Sequence, residues 1–146
     1  VLLAIAARRL RREGYYAAGL WLWLSVPAGS WSRQRHLPVV RDDQAILTAL
    51  ADLSGEVKLD FPRGVSIFQV GVTLFELSPA DHRQLDMLLN DDTARRKWER
   101  ISVAIDELNT RYAQTLIHLG EWNPPVGGHV GGKISYTRIP SAEDFW

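Results

Sequence analysis

The chain has 146 residues, a formal net charge of zero and an apolar share of 46%, which is typical of one globular domain or of a small domain with an appendage. No apolar run approaches the roughly 18 residues of a membrane-spanning helix, so we expect no membrane partner. Cysteine is absent, which excludes disulfides and thiolate metal sites and suits a cytoplasmic protein.

The two ends of the chain differ in charge. Residues 1–41 contain seven arginines and one acidic residue, a net charge of +6, and the remainder carries −6. A basic N-terminal part is what a polyanion-binding surface would show. The alternative is that the arginines between Arg8 and Arg12 only end a helix, where cations complement the macrodipole.

The first half of the chain predicts a helix, a hairpin, a second helix and a long strand. Gly14 is expected to stop the first helix, and Gly55 the second, which Asp42 or Asp43 would cap. The predicted elements are helix 1–13, strand 15–26, strand 31–37, helix 42–55 and strand 65–77.

The segment "LWLWL" in the first strand is apolar on both faces. Trp21 and Trp23 share one face and three leucines the other. Two tryptophans exposed on an open sheet would be costly. We therefore expect the C-terminal helix and strands to cover them.

The C-terminal part predicts one helix over 91–112 and two strands over 115–120 and 133–140. The helix has an apolar stripe with regular three- and four-residue spacing, which we interpret as core. The stripe consists of Trp98, Ile101, Ile105, Leu108 and Tyr112. The predicted fold class is α+β: a mainly antiparallel sheet backed by two helices, with a C-terminal helix plus two strands.

No catalytic constellation stands out. The four histidines are scattered singly, so we expect no metal site and no cofactor. The acidic pairs at 42–43 and 91–92 stand where helix N-caps belong. The stretch from Gly127 to Lys133 opens like a phosphate-binding loop, but Ile134 replaces the required Ser or Thr and a strand follows. We therefore predict no catalytic residues and favour binding over chemistry.

Several stretches together resemble the C-terminal part of bacterial Y-family (DinB/UmuC-type) translesion DNA polymerases. They are "AARRLRREGYYAAGLWLWL", "VGVTLFELSPA", "RQLDML", "AIDELNTRY" and "KISYTRIPSAEDF". The resemblance implies a little-finger DNA-binding domain over 1–78, a linker over 79–92 and an extension over 93–146. In "RYAQ", Ala113 stands where the family frequently has glycine, so the turn there is expected to differ.

The resemblance also implies what this chain lacks. The little finger has β-α-β-β-α-β order, so its first strand would precede Val1 and the chain would be a fragment. The catalytic carboxylates, and the magnesium they bind, belong to a palm domain further upstream. The fragment is thus expected to be no enzyme, whereas its parent would be a nucleotidyltransferase, a DNA-directed DNA polymerase of DNA repair and damage tolerance.

In this family the little finger lays its open sheet face along the DNA backbone. Arg33 and Arg35 lie two residues apart on a strand and share a face, so they could pair phosphates. Gln69, Gly71 and Thr73 give another strand a small, polar face. We expect Arg33, Arg35, Gln69 and Thr73 to grip primer–template DNA without reading its sequence. The alternative is that the arginines form a solvated hairpin surface.

The linker holds a second candidate site. Several family members carry a sliding-clamp-binding peptide of the form Gln-Leu-(Ser or Asp)-Leu-Phe. Five residues fit that form, with Met for Leu and Leu for Phe: Gln84, Leu85, Asp86, Met87 and Leu88. An extended peptide would place the amide of Gln84 at one end and its apolar residues in a pocket. The alternative is a helical turn packed against the protein's own core.

Two rival functions remain open. One is a protein–protein interaction module, such as a non-catalytic accessory partner of a mutagenic polymerase, that uses the face of Trp21 and Trp23. The other is a small enzyme using Asp91, Asp92 and His118. It is disfavoured because those residues would have to converge from separate elements.

Overall fold

The structure, a computed structural model, describes residues 2–80 and 92–120. Its elements are α1 (Leu2–Arg12), β1 (Tyr15–Val26), β2 (Gly29–Val40), α2 (Asp43–Asp60), β3 (Gln69–Pro79) and α3 (Asp92–Tyr112). The strands form one antiparallel sheet in the order β2-β1-β3. The predicted α+β class is confirmed. No described helix has the length and apolar character to cross a membrane.

Helices α1 and α2 cover one face of the sheet, as predicted. Leu20, Leu22 and Leu24 of β1 point toward the helices and are at most 4% exposed. They form one cluster with buried apolar side chains of both helices, such as Ala7 and Ile46. Full burial of one such leucine is worth about 1.5–3 kcal/mol, so the alternation along β1 fixes which face is covered.

Most helix ends follow the predicted signals, with one exception. Gly14 follows α1 with φ +74°, the left-handed conformation that favours glycine. The carboxylate of Asp42 caps α2 by accepting a hydrogen bond from the N–H of Ala45 at 2.9 Å. The prediction that Gly55 ends α2 is wrong, because the helix continues to Asp60.

Contacts of its last turn with the sheet and the core explain why α2 continues past Gly55. The Nε1 of Trp31 in β2 donates to the Asp60 carboxylate at 2.7 Å. Val57 and Phe61 pack against the core cluster. Glycine inside a helix costs about 0.5–1 kcal/mol, which these contacts of the last turn offset.

Helix α3 buries polar residues beside its predicted apolar stripe, so the prediction that the stripe forms core is wrong for its last two residues. Ile105 is buried and Trp98 and Ile101 are half-buried, whereas Leu108 is 37% and Tyr112 57% exposed. The fully buried residues include Ser102 and Asn109. Ser102 bonds to the N–H of Asp43, and Asn109 bonds to the segment that follows α3.

Arg11 of α1 makes the central contact with α3. Its guanidinium binds both carboxylate oxygens of Asp106, at 2.5 and 2.8 Å, and both of Asp43, at 2.7 and 3.3 Å. A fifth hydrogen bond of 2.9 Å reaches the Arg41 carbonyl. All five N–H donors of Arg11 are therefore used. The side chain of Arg11 is only 5% exposed, so the contact is internal.

Burial and ion pairing shift the pKa values of this cluster in opposite directions. Burial lowers the pKa of Arg11, but the bonds of Arg11 to Asp106 and Asp43 outweigh that effect, so its pKa is raised. Burial raises the pKa of Asp43, and the ion pair with Arg11 reverses this shift only in part. The Asp43 N–H also donates to the Ser102 hydroxyl at 3.1 Å. The start of α2 is thus tied to both neighbouring helices.

The segment after α3 does not form the predicted strand over 115–120, because the Asn109 side chain takes its backbone groups. The carboxamide oxygen of Asn109 accepts from the N–H of Leu116 and of Ile117, at 2.8 and 3.0 Å. Its nitrogen donates to the Ile117 carbonyl at 2.7 Å. The strand predicted over 133–140 lies outside the described residues.

Candidate nucleic-acid interface

The face of the sheet opposite α1 and α2, termed the open face, carries rows of side chains from all three strands. Trp21 of β1 is paired with Gln34 of β2 and with Thr73 of β3. Directly paired residues of an antiparallel sheet point to the same face. Further along, Ser25 is paired with Gln69. The predicted face of Gln69 and Thr73 therefore coincides with the tryptophan face.

The tryptophans on the open face are not covered as expected. Trp21 is 41% exposed and Trp23 is half-buried, while α3 binds Arg11, which belongs to the helical layer. The expectation that the C-terminal helix covers them is therefore wrong for α3. A Cβ added at Gly71 would lie 3.3 Å from the indole of Trp23, so that indole already occupies the space beside Gly71.

One end of the open face is closed by an aromatic ring. Gly19 of β1 is paired with Phe75 of β3, and the Phe75 ring occupies the place that a side chain at Gly19 would fill. On its β2 side, Gly19 is paired with His36. The Nδ1 of His36 lies 3.7 Å from the Glu76 carboxylate. Glu76 has φ +54°, so the regular strand alternation is interrupted there.

Arg33 and Arg35 share a face, as predicted, but it is the face that the helices cover. They are paired with Leu22 and Leu20, whose side chains lie in the core. Arg33 contacts the Asp60 carboxylate at 3.1 Å, and Arg35 contacts Glu56 at 2.7 Å. Both acids belong to α2. The structure thus brings Gln69 and Thr73 together but places the two arginines on the other side, along the outer edge of β2.

The open face combines uncharged polar side chains with the aromatic rings of Trp21, Trp23 and Phe75. Among described residues paired across this face, none is lysine or arginine. The positive charge of residues 1–41 is largely used internally: Arg11 binds two carboxylates, and Arg41 lies 3.7 Å from Glu99 and over the Tyr16 ring at 4.8 Å. The net charge of residues 1–41 therefore exceeds the positive charge that this part presents to solvent.

Other predicted sites stand apart from this face. The clamp-binding candidate, Gln84 to Leu88, lies outside the described residues. No group of three or more possible metal ligands occurs in the described ranges 2–80 and 92–120. Ser32 and Gln34 also lie on the open face, paired with Trp23 and Trp21, although no pattern in the sequence singled them out. The two-residue connection between Val26 and Gly29 nevertheless indicates their face, because such a hairpin turn sets the register of both strands.

An antiparallel sheet with two helices on one face and an open opposite face has the architecture expected of a little-finger domain. Residues 1–87 match the model of the impB/mucB/samB family C-terminal domain. The match covers more than half of the chain, and the chain belongs to this family, a Y-family polymerase C-terminal domain. No curated protein and no solved structure matches the chain.

Proposed function

We propose that this chain binds the primer–template DNA of a Y-family polymerase, with the open face against the nucleic acid. The observation that carries the proposal is that a domain of this family leaves uncovered a sheet face rich in uncharged hydrogen-bonding groups. The polymerisation chemistry would reside in catalytic carboxylates elsewhere in the parent protein. The role in translesion synthesis and damage tolerance is inferred from the family.

The polar residues of the open face suit contacts with the DNA backbone. The side chains of Gln34, Gln69 and Thr73 can donate hydrogen bonds to phosphate and sugar oxygens, which position DNA and carry no sequence information directly. Trp21 offers an apolar surface with one N–H donor. Such a surface accepts a damaged template as readily as an intact one, which is what lesion bypass requires.

Arg33 and Arg35 remain candidates for phosphate contacts from the β2 edge. Their side chains are 50% and 41% exposed, and an exposed ion pair contributes at most about 1 kcal/mol. Exchange of Glu56 or Asp60 for a phosphate therefore costs little. The expected result is a sequence-independent affinity that weakens with salt.

The open-face proposal is tested by a paired substitution. We expect Gln69→Ala with Thr73→Ala to weaken binding of labelled primer–template DNA severalfold, alike for unrelated sequences. The matched control is Gln44→Ala with Thr48→Ala, which removes the same residue types from exposed positions of α2. Equal affinities of the two double variants would rule out DNA contact by this part of the open face.

We propose in addition that residues 84–88 tether the protein to the sliding clamp. The proposal rests on the fit of Gln84, Met87 and Leu88 to the family's clamp peptide and on its position at the end of the family match. Replacing Gln84 and Leu88 by alanine should abolish clamp binding in a pull-down and leave DNA affinity unchanged. Clamp binding that survives both substitutions would refute the tether.

A second candidate function is that of a protein–protein interaction module, favoured by the 41% exposure of Trp21 on a face without arginine or lysine among its described residues. A partner would bury the indole, and such aromatic anchors dominate protein interfaces. In this case Trp21→Ser would abolish partner binding or self-association, measured by light scattering, and leave DNA affinity intact. The DNA proposal requires the opposite result.

A further inference from the structure

The first three turns of α3 carry a cluster of positive charge. Arg95, Arg96, Lys97 and Arg100 fall within six positions. Glu99, the acid among them, is turned inward, 7% exposed and bonded to Tyr16. We term Arg96, Lys97 and Arg100 the α3 basic group. Its members are all exposed.

The cations of the α3 basic group begin at the second turn of α3, beyond the first turn in which the helix dipole acts on a charge. Within the described part of the chain, Lys97 and Arg100 form no ion pair. Two exposed cations of this kind suit an external anionic ligand.

The fold holds this group beside the sheet and shapes a depression around it. Arg95 donates to the Pro38 carbonyl near the end of β2 at 2.9 Å, which fixes the first turns of α3 beside that strand. A shallow cavity of about 290 Å³ is lined by three arginines and two glutamates, namely Arg41, Arg96, Arg100, Glu99 and Glu107. The Arg41 guanidinium is held over the Tyr16 ring and lies 3.7 Å from the Glu99 carboxylate. Arginines from α3 and from the segment before α2 therefore outnumber the acids on this concave surface.

We propose that the α3 basic group binds the sugar–phosphate backbone of nucleic acid beyond the reach of the open face. The inference rests on the proposed function and deepens it, because the described residues of the open face include no lysine or arginine to pair with phosphate. Arg33 and Arg35 precede Pro38 on β2, about 10–17 Å away along a strand. Together with Arg95 they continue the α3 basic group along the β2 edge. α3 itself lies beyond the family match, which ends at residue 87.

The test compares two triple variants of the full chain by fluorescence anisotropy with labelled primer–template DNA. The first is Arg96→Gln, Lys97→Gln and Arg100→Gln. The control is Lys58→Gln, Arg63→Gln and Arg111→Gln, which removes the same charge from exposed positions elsewhere. We expect the first to bind about tenfold or more weakly, with the slope of log K against log salt reduced by about 2–3, as for three lost phosphate contacts. The control should stay close to the wild type.

A third variant, Arg96→Lys with Arg100→Lys, separates charge from packing, because it keeps the cations and should retain the salt slope. Equal affinity and slope of the first two variants would overturn the α3 inference and leave the proposed function standing. That result would indicate that the α3 basic group binds an acidic protein surface instead of DNA. Absence of DNA binding by the wild-type chain would overturn both.

Discussion

Arg11 and Asp106 form a bidentate ion pair, Nε to Oδ2 at 2.5 Å and Nη2 to Oδ1 at 2.8 Å, that joins α1 to α3. α1 lies within the family match and α3 beyond it. The side chains are 5% and 17% exposed, so solvent screens the pair little. Helix α3 is therefore anchored to the family domain by a buried charge cluster.

Loss of Arg11 should be among the most damaging single changes. Arg11→Met would leave Asp43 partly buried without its counter-ion and Asp106 with only Arg8, at 3.6 Å, and breaking a buried pair typically costs about 3–5 kcal/mol. Denaturant unfolding measures the loss, and Arg111→Met, at an exposed site, is the control. A loss below about 1 kcal/mol would show that the cluster contributes little to stability. Arg11→Lys should also destabilise, since three donors cannot replace five.

Gly19 should tolerate no side chain unless Phe75 moves. A Cβ at Gly19 would overlap the far end of the Phe75 ring, so Gly19→Ala must displace that ring. We expect a loss of about 1–3 kcal/mol, as for other overpacked sites. In Phe75→Leu the same alanine should cost less, and the double-mutant cycle measures this coupling. Additive effects of the two changes would contradict the contact.

Two glycine exchanges should both stabilise the protein, for opposite reasons. Ala113 adopts φ +51° in a turn where its N–H and that of Gln114 bond back to the carbonyls of Thr110 and Asn109, a Schellman end that favours glycine. Ala113→Gly should therefore gain about 1 kcal/mol in free energy of unfolding. Gly55→Ala, where a Cβ would meet nothing within 4 Å, should gain about 0.5–1 kcal/mol. A loss at either site would refute the assigned backbone conformation.

Two double variants test whether the arginines of β2 bind phosphate, one that removes the arginines and one that removes their acidic partners. If Arg33 and Arg35 bind phosphates, replacing both by alanine weakens binding to all duplexes alike. Replacing their partners by Glu56→Gln and Asp60→Asn frees both guanidiniums and should strengthen binding. Anisotropy titrations of these two double variants measure the effects. Weaker binding after removal of the acids would show that the arginines serve α2 and not DNA.

The sequence predicted the scaffold well because its signals are local. The bounds of β1 and the cap at Asp42 follow from alternation and from an N-cap carboxylate. The prediction that Gly55 ends α2 was wrong because tertiary contacts at Asp60 outweigh the intrinsic cost of glycine in a helix. The prediction of a buried stripe was wrong for Leu108 and Tyr112 in α3, because Arg11, distant in the chain, binds Asp106 and so orients the helix. Such non-local pairing leaves no periodic trace in the sequence.

The candidate site was predicted in part. Gln69 and Thr73 lie on the open face, as their alternation indicated. Arg33 and Arg35 lie opposite, although the two-residue turn before Gly29 already pairs them with Leu22 and Leu20. Spacing shows that two residues share a face, whereas only the register shows which face it is.

DNA binding by the wild-type chain is tested most directly by fluorescence anisotropy of labelled primer–template DNA, at low and near-physiological salt, on two unrelated sequences. We expect equal affinities for both sequences and binding that weakens as salt increases. No binding at low salt, or a clear preference for one sequence, would contradict the proposal that this domain binds the DNA backbone.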